Sequence, residues 1–228
     1  HPFGEDEGFH AATYLANMHY QAIRKEVPAA SRAMDFLVDV TKVLLEDTVD
    51  VFDEEEGAVG KHVRFDNRLY FPFVQYYREF HEKKRGTNTV MCVRSELKTW
   101  NHTKQREFPL RTNKVDARDS KNGIAPNIIH CQDSLHLLLT VLELEKDGIT
   151  DFMGIHDSFA VPAADAQTLS RNLRKTFILI YKDYDLLNDF LDQAKARHSD
   201  PDSVDWPVAP SQGDLSIEDV WESDYFFS

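Results

Sequence analysis

The chain has 228 residues, of which 42% are apolar and 29% are charged, and its formal net charge at pH 7 is −13. This composition is typical of a globular protein with its own core, and no run approaches the roughly 20 apolar residues of a membrane span. The N-terminus lacks a basic region followed by an apolar one, so we expect no secretory signal, and the missing initiator Met indicates a chain that begins inside a longer protein or after processing.

The first half of the chain is predicted to contain helices followed by strands. Pro28 suits a helix start, and the pair Asp66-Asn67 tolerates the positive φ of a tight turn. From apolar spacing we predict a helix over 9–24, a helix over 29–47, a hairpin over 61–77 whose strands are Val63–Phe65 and Leu69–Phe71, and a helix over 73–85.

The second half is predicted to begin with a hairpin and to continue mainly as helices. The pair Asp147-Gly148 is expected to end a helix, because Gly readily adopts the left-handed conformation. We predict a hairpin over 88–111 with its tip near Trp100–Thr103, a loop over 112–127, a short strand over 149–155, and helices over 128–146, 163–181 and 186–197.

The 88–111 hairpin lies in a basic part of an acidic chain. Residues 61–121 contain 15 Lys or Arg against 7 Asp or Glu, whereas residues 183–228 contain 2 against 12. Phosphate binding depends on the local charge, so the basic segment can bind nucleic acid despite the total. A ribbon that carries Arg94, Lys98, His102, Lys104 and Arg106 suits a groove of DNA, although an ordinary solvated hairpin has the same pattern.

The segment His156-Asp157-Ser158-Phe159 is the strongest candidate for chemistry. A strand leads into it, and Ala160-Val161-Pro162 leads away, so Asp157 is expected at a tight turn between two strands. A carboxylate held there is a hard oxygen ligand that suits Mg²⁺. Most His-Asp pairs are caps or turn residues, and that alternative stays open on the residues alone. The cysteines, Cys92 and Cys131, have no metal-binding spacing, so we expect free thiols in a reducing cytoplasm.

Several segments together resemble one enzyme family. The run Gly123-Ile124-Ala125-Pro126-Asn127-Ile128-Ile129-His130-Cys131-Gln132-Asp133-Ser134-Leu135-His136 precedes Gly148-Ile149 and His156-Asp157-Ser158-Phe159, and the chain ends in Glu222-Ser223-Asp224-Tyr225-Phe226-Phe227-Ser228. These motifs resemble the C-terminal part of the single-subunit DNA-directed RNA polymerases of phages and mitochondria. The resemblance is strong over 123–165 and at the terminus, moderate over 11–45 and 61–85, and weak over 88–112.

The resemblance implies roles for particular residues. Asp157 would be one of two aspartates that hold two Mg²⁺ ions in the palm, and His156 and Ser158 would shape its turn. His130 would face the nucleotide and help to select the ribose 2'-hydroxyl. The hairpin over about 88–112 would be the promoter specificity loop, and the terminal carboxylate of Ser228 would fold back near the active site.

The resemblance also implies that parts of the enzyme lie elsewhere. One carboxylate cannot hold two ions 3.5–4 Å apart, and we find neither the family's first catalytic Asp nor its triphosphate-binding Lys and Tyr in this sequence. We therefore expect a component of a DNA-directed RNA polymerase that needs a second chain or segment, with DNA template, nascent RNA and NTPs as partners. We expect a cytoplasmic protein, in the bacterial host cytoplasm if the chain is phage-encoded.

Three other functions would account for part of this pattern. A DNA polymerase of related palm architecture usually has two adjacent acids at this turn, whereas Ser158 follows Asp157 here. A non-catalytic DNA-binding subunit would explain the missing first aspartate. A hydrolase with a Ser-His-Asp triad is disfavoured, because Ser158 lacks a strand-to-helix nucleophile elbow.

The expected fold is α+β, mainly helical, with a small antiparallel palm sheet that carries the catalytic Asp on a β-turn-β hairpin. Residues 1–122 are expected to form a fingers-like region, and residues 123–228 the C-terminal palm and tail. We also expect exposed apolar surface that the rest of the polymerase buries.

Overall fold

The computed structural model describes residues 5–47, 51–53, 57–59, 62–80, 92–99, 102–109, 111–155 and 158–226, and the side chains of 8–47, 62–78, 115–155 and 158–226. Within these ranges five α-helices are combined with five two-stranded antiparallel sheets. The expected α+β, mainly helical class is confirmed.

The two predicted N-terminal helices are confirmed as α1 (Glu5–Glu26) and α2 (Pro28–Glu46). Helix α2 begins at its Pro, which has no N–H to leave unpaired, and it buries Phe36, Leu37 and Val40. Helix α1 differs, because its large apolar side chains are exposed. These are Phe9, Tyr14, Leu15, Met18, Tyr20 and Ile23.

Two short hairpins follow α2. Strands β1 (Val51–Asp53) and β2 (Gly57–Val59) pair with each other, and so do β3 (Arg64–Asp66) and β4 (Pro72–Val74). The second hairpin was predicted, but its return strand begins at Pro72 rather than at Leu69. The reason is that the Asn67 side-chain oxygen accepts hydrogen bonds from the backbone N–H groups of Leu69 and Phe71, which stabilises a longer loop.

The helix predicted over 73–85 is wrong for its described part, residues 73–80. Residues 72–74 belong to β4, and β5 (Arg78–Phe80) pairs with the distant β8 (Arg111–Val115). The backbone N–H of Gln75 donates to Val63 and that of Asp116 donates to Tyr77. Partners this distant in sequence cannot be recognised from local apolar spacing.

The hairpin predicted over 88–111 is confirmed for its described backbone. Strand β6 (Cys92–Thr99) pairs with β7 (His102–Pro109) over eight residues, and Thr99 lies opposite His102. The strands therefore join near the predicted tip. The Cys92 side chain lies outside the described residues, whereas Cys131 is a buried free thiol whose pKa is raised by desolvation.

The loop predicted over 112–127 is also wrong. Helix α3 (Ala117–Lys146) is continuous through Pro126, and the Asp116 carboxylate caps its start by accepting from the N–H groups of Arg118 and Asp119. Pro126 removes one helical hydrogen bond, but Ile124 and Ile128 on either side of it are completely buried. Packing thus outweighs the local preference for a loop. The predicted domain division at 122/123 falls within this helix and stays a prediction.

The main core lies between α2, α3, the β3–β4 hairpin and α5 (Leu186–Arg197). Its buried apolar members are Phe36, Leu37, Val40, Val63, Phe65, Ile124, Ile128, Cys131, Phe190, Leu191 and Ala194. Gln193 fastens α5 to β3, because its side-chain amide accepts from the N–H of Asp66 and donates to the carbonyl of Asp66, both at 2.8 Å.

A second core lies where α3 packs on α4 (Ala166–Tyr181). Helix α3 ends at Lys146, and Gly148 just beyond it has a φ of +80°, which confirms the predicted stop at Asp147-Gly148. Buried polar pairs cross this contact. His136 Nε2 lies 2.9 Å from the Leu173 carbonyl oxygen, and the hydroxyl groups of Thr140 and Thr176 lie 2.9 Å apart. These pairs fix the two helices in one register.

A third hairpin and a C-terminal tail complete the chain. Strand β9 (Met153–Ile155) pairs with β10 (Ser158–Ala160). The strand predicted over 149–155 is confirmed for its last three residues only, and the turn predicted at His156 and Asp157 lies outside the described residues. The helices predicted over 163–181 and 186–197 are confirmed, the first with a short 3₁₀ turn at Ala163–Asp165 before α4. The tail contains 3₁₀ turns at Pro201–Ser203 and Ile217–Trp221.

Candidate active site around the β9–β10 hairpin

The β9–β10 hairpin has one face turned toward the helices and one toward solvent. Gly154 and Phe159 lie opposite each other in the ladder, as do Ile155 and Ser158. Phe159 packs against the second core, whereas Met153 and Ile155 each keep 58% of their surface exposed. His156 and Asp157 join the two strands, and both lie outside the described residues. Their predicted roles stay predictions.

The hairpin touches α3 through a glycine. A Cβ atom at Gly154 would lie 2.8 Å from Leu137 Cδ1 and 3.1 Å from the Phe152 ring. Real Cβ atoms essentially never approach carbon this closely, so a larger residue at this position would require the Leu137 side chain to shift. The contact holds strand β9 against α3 three residues before Asp157.

A second contact holds the returning strand. The Phe159 ring packs against the His136 ring, with 5.8 Å between centroids, and against the Phe152 ring at 6.2 Å. Burial lowers the pKa of His136 because desolvation disfavours the charged imidazolium. A neutral His136 bonded to the Leu173 carbonyl thus ties the hairpin to α3 and α4 together.

His130 lies on the same face of α3 as the residue that supports the hairpin. Positions 123, 127, 130, 134 and 137 follow one another at spacings of three or four residues, which places them on one helical face. His130 is exposed, and Leu137 contacts the hairpin two turns further along. Seven residues of α-helix span about 10 Å. His130 and the hairpin therefore share one surface.

Tyr77 covers the beginning of that face. Its hydroxyl accepts a hydrogen bond from Asn127 Nδ2 at 3.0 Å, and its ring lies against Gly123, where a Cβ atom would be only 2.7 Å from the ring. Sequence reasoning missed this contact because residues 73–85 were predicted to be helical. The Gly and Asn of the 123–127 segment were the available signal, but they were interpreted as loop residues.

The side chains of the basic β6–β7 hairpin, among them Arg94, Lys98, His102 and Lys104, lie outside the described residues. In the backbone ladder, Lys98 lies opposite Thr103, and Lys104 lies opposite Leu97. Because faces alternate along a strand, Arg94 and Lys98 occupy positions of one face, and His102 and Lys104 occupy positions of the other.

A cleft of about 350 Å³ lies elsewhere, between the β3–β4 loop and α5. Its polar groups bind one another. Arg197 pairs with Asp66 at 2.7 Å, the Tyr184 hydroxyl donates to Asp189, and Arg68 donates to the carbonyls of Leu179, Ile180 and Lys182 at the end of α4. These bonds hold the β3–β4 hairpin against α5 and the end of α4, so we interpret the cleft as structural.

Within the described residues, no three His, Cys, Asp or Glu side chains lie close enough together to hold a metal ion. Asp157 is not among the residues searched, so the expected magnesium site stays a prediction. None of the helices in the described part of the chain combines the length and the hydropathy that a membrane span needs.

Comparison with known proteins identifies the family. The family model for DNA-dependent RNA polymerase matches residues 1–205. The chain belongs to this family. It is 32% identical over 220 residues to the DNA-directed RNA polymerase of Enterobacteria phage K11, and 32% identical over 223 residues to the T7 RNA polymerase of Escherichia phage T7. It is 30% identical over 225 residues to DNA-directed RNA polymerase 1, mitochondrial, of Nicotiana sylvestris.

These matches cover nearly all of the chain but only part of each relative. They span 96% of this chain for both phage enzymes and 98% for the plant enzyme, yet only 23%, 24% and 19% of the respective relatives. The resemblance drawn from the His130 and Asp157 motifs is thereby confirmed. The chain corresponds to a partial region of a DNA-dependent RNA polymerase.

Proposed function

We propose that this chain supplies part of the active site of a DNA-directed RNA polymerase, with Asp157 on the β9–β10 hairpin as one catalytic carboxylate. The observation that carries the proposal is the close packing of Gly154 on Leu137, because it seats the hairpin on the face of α3 that also bears His130. Family membership supports RNA rather than DNA synthesis.

Magnesium fits the donor that the chain offers. A carboxylate is a hard oxygen ligand, and Mg²⁺ in nucleotidyl transfer is typically held by one or two carboxylates together with phosphate oxygens and water. Two such ions activate the attacking oxygen and neutralise the leaving one. Asp157 would contribute to both ions, and a second Asp outside this chain would complete the site. His156 would help to orient the Asp157 turn.

His130 is proposed to face the incoming nucleotide. It is exposed, and it projects from a helix whose position is fixed by the buried residues Ile128 and Cys131 on its other side. An imidazole so placed can exchange a hydrogen bond with a ribose hydroxyl. Replacement of His130 is therefore expected to weaken discrimination between ribonucleotides and deoxyribonucleotides.

The β6–β7 hairpin is proposed to contact the DNA. A two-stranded ribbon fits the major groove, and the segment around it is basic. Arg94 and Lys98 would bind with one face of the ribbon, and His102 and Lys104 with the other. The nucleic-acid partners would be the template and the nascent RNA, with NTPs as substrates.

The remaining parts of the enzyme are proposed to come from another segment or from a second polymerase chain. They include the first catalytic Asp and the groups that grip the triphosphate. We place the protein in the cytoplasm, that of the bacterial host if it is phage-encoded. RNA synthesis by this chain alone would refute the need for a further segment.

Replacement of Asp157 tests the proposal in the assembled polymerase. Asp157→Asn should lower the rate of RNA synthesis by on the order of 10³-fold or more, because a ligand of both ions is lost, while template binding is retained. Asp151→Asn is the control, since Asp151 is an exposed carboxylate just before the same hairpin. Wild-type synthesis by Asp157→Asn would remove Asp157 from the active site.

A further inference from the structure

The C-terminal tail is fastened to α4 at two places. Near the end of α4, Lys182 pairs with Glu218 at the surface. In the middle of α4, Arg174 projects toward the tail. The guanidinium of Arg174 donates from Nε to the Val220 carbonyl at 3.2 Å and from Nη2 to the Ser223 carbonyl at 2.8 Å. One side chain thus binds both sides of the turn that ends the last 3₁₀ helix.

Arg174 is itself held in place. Its Nη1 donates to the carbonyl and the hydroxyl of Ser170, one turn earlier on α4. Its guanidinium also lies over the Phe226 ring, 5.6 Å from the ring centroid. A planar group with several fixed donors can make all these contacts at once, whereas an ammonium group cannot reproduce this geometry.

The held end of the tail meets the residues that support the hairpin. The Phe226 ring packs edge-on against Phe177, with 4.9 Å between centroids, and Phe177 packs on His136. His136 in turn contacts Phe159 of the hairpin. Phe226 and Phe159 belong to the same apolar cluster. A continuous set of contacts therefore connects Arg174, the tail and the strand that follows Asp157.

We infer that Arg174 is a positioning residue, which holds the C-terminal tail against the support of the Asp157 hairpin so that the tail contributes to nucleotide transfer. The inference rests on the proposed function for its catalytic part. Its structural part, the attachment of the tail by Arg174, does not depend on that function.

The structural part is tested by amide hydrogen exchange on the whole chain. Arg174→Ala should raise the exchange rate of residues 217–226 roughly tenfold or more, because two charge-assisted hydrogen bonds to backbone carbonyls are lost. Exchange in α3 should stay unchanged. Arg171→Ala is the matched control: Arg171 lies on the same helix but pairs with Asp147, which directly follows α3. Unchanged exchange of the tail in Arg174→Ala would overturn the inference.

The catalytic part is tested by RNA synthesis in the assembled polymerase. Arg174→Ala should lower kcat about fivefold with little change in KM for NTPs. A fivefold change corresponds to the net free energy of about one hydrogen bond, here lost from the positioning of the tail. Arg174→Lys should recover only part of the loss, and Arg174→Gln replaces alanine if that variant does not fold.

A truncated chain separates positioning from general stability. If Arg174 acts through the end of the tail, removal of residues 225–228 should abolish any further effect of Arg174→Ala on kcat. Additive losses, or a released tail with wild-type kcat, would refute the positioning role. Failure of the proposed function would give a different result. The wild-type assembly would then make no RNA, while Arg174→Ala would still raise the exchange rate of the tail.

Discussion

The hairpin platform and helix α1 differ in how far their apolar side chains are buried. By hairpin platform we mean α4 together with residues 136–160, which comprise the end of α3 and the β9–β10 hairpin. In the platform, Leu144, Leu169 and Leu173 are buried, and polar pairs join the helices across the contact. Helix α1 instead leaves its large apolar side chains exposed. The predicted catalytic hairpin is thus carried by a part of the chain that has a buried core of its own.

The largest effect in this comparison is expected at Gly154. Gly154→Ala would force either the Leu137 and Phe152 side chains or the hairpin itself to move, since the added Cβ would lie 2.8 Å from Leu137 Cδ1 and 3.1 Å from the Phe152 ring. A displacement of about 1 Å at a catalytic group can cost about 10²-fold in rate, and the overpacking should destabilise the chain by about 1–3 kcal/mol. RNA synthesis by the assembled polymerase and urea unfolding of the chain measure the two effects.

A second glycine supplies the control for this substitution. Gly213 lies in the tail and has nothing within 4 Å of an added Cβ. Gly213→Ala should leave both rate and stability unchanged within error. Wild-type rates in Gly154→Ala would show that the hairpin does not depend on its contact with α3.

A smaller effect is expected at His136. His136→Phe keeps the ring contacts with Phe159 and Phe177 but removes the hydrogen bond to the Leu173 carbonyl, so the free energy of unfolding should fall by about 1 kcal/mol near pH 8. Urea unfolding measures this difference. A loss close to zero would mean that the ring packing alone holds the hairpin.

His136 also predicts a pH dependence. Burial lowers its pKa in the folded chain below the ordinary 6.5, although the hydrogen bond to the Leu173 carbonyl and the charge of Asp133 oppose the shift. The unfolded chain therefore takes up the proton first, and the stability contributed by neutral His136 is present above pH 6.5 and is lost as the pH falls toward the lowered folded-state pKa. The stability difference between wild type and His136→Phe should accordingly shrink between pH 8 and pH 5.5. An unchanged difference would contradict a neutral buried imidazole.

The smallest effect is expected on α1. Met18 is half exposed, so Met18→Gln should change the free energy of unfolding of this chain by less than about 0.5 kcal/mol. In the assembled polymerase the same substitution should weaken association measurably, because we expect the rest of the enzyme to bury this apolar face. A large loss of stability in the chain alone would show that α1 is packed as firmly as the hairpin platform.

The sequence predicted the parts whose signals are local. The helices that became α1, α2, α4 and α5 have clear apolar spacing, and the hairpins around 100 and 156 have turn residues between alternating strands. The 73–85 and 112–127 predictions were wrong because distant partners decide those segments. Strand β5 needs β8, and the start of α3 needs the Asp116 cap and the packing of Tyr77 on Gly123.

The candidate site likewise has parts with local signals and parts that depend on distant partners. His130 and the strands around Asp157 were predicted from motifs, because a motif specifies residue types at fixed spacings. The supports of the site were not found: nothing in the spacing showed that His136 would bond to α4 or that Arg174 would bind the tail. Gly154 was the one visible signal, since Gly within a strand often marks a close approach of another segment.

Metal-directed cleavage of the assembled polymerase locates the catalytic ions relative to Asp157. With Fe²⁺ in place of Mg²⁺ and with template and NTP bound, locally generated hydroxyl radicals should cut this chain next to Asp157, and Asp157→Asn should abolish that cut while Asp151→Asn retains it. Cleavage elsewhere in the chain, or an undiminished cut in Asp157→Asn, would contradict a catalytic ion held at the β9–β10 hairpin.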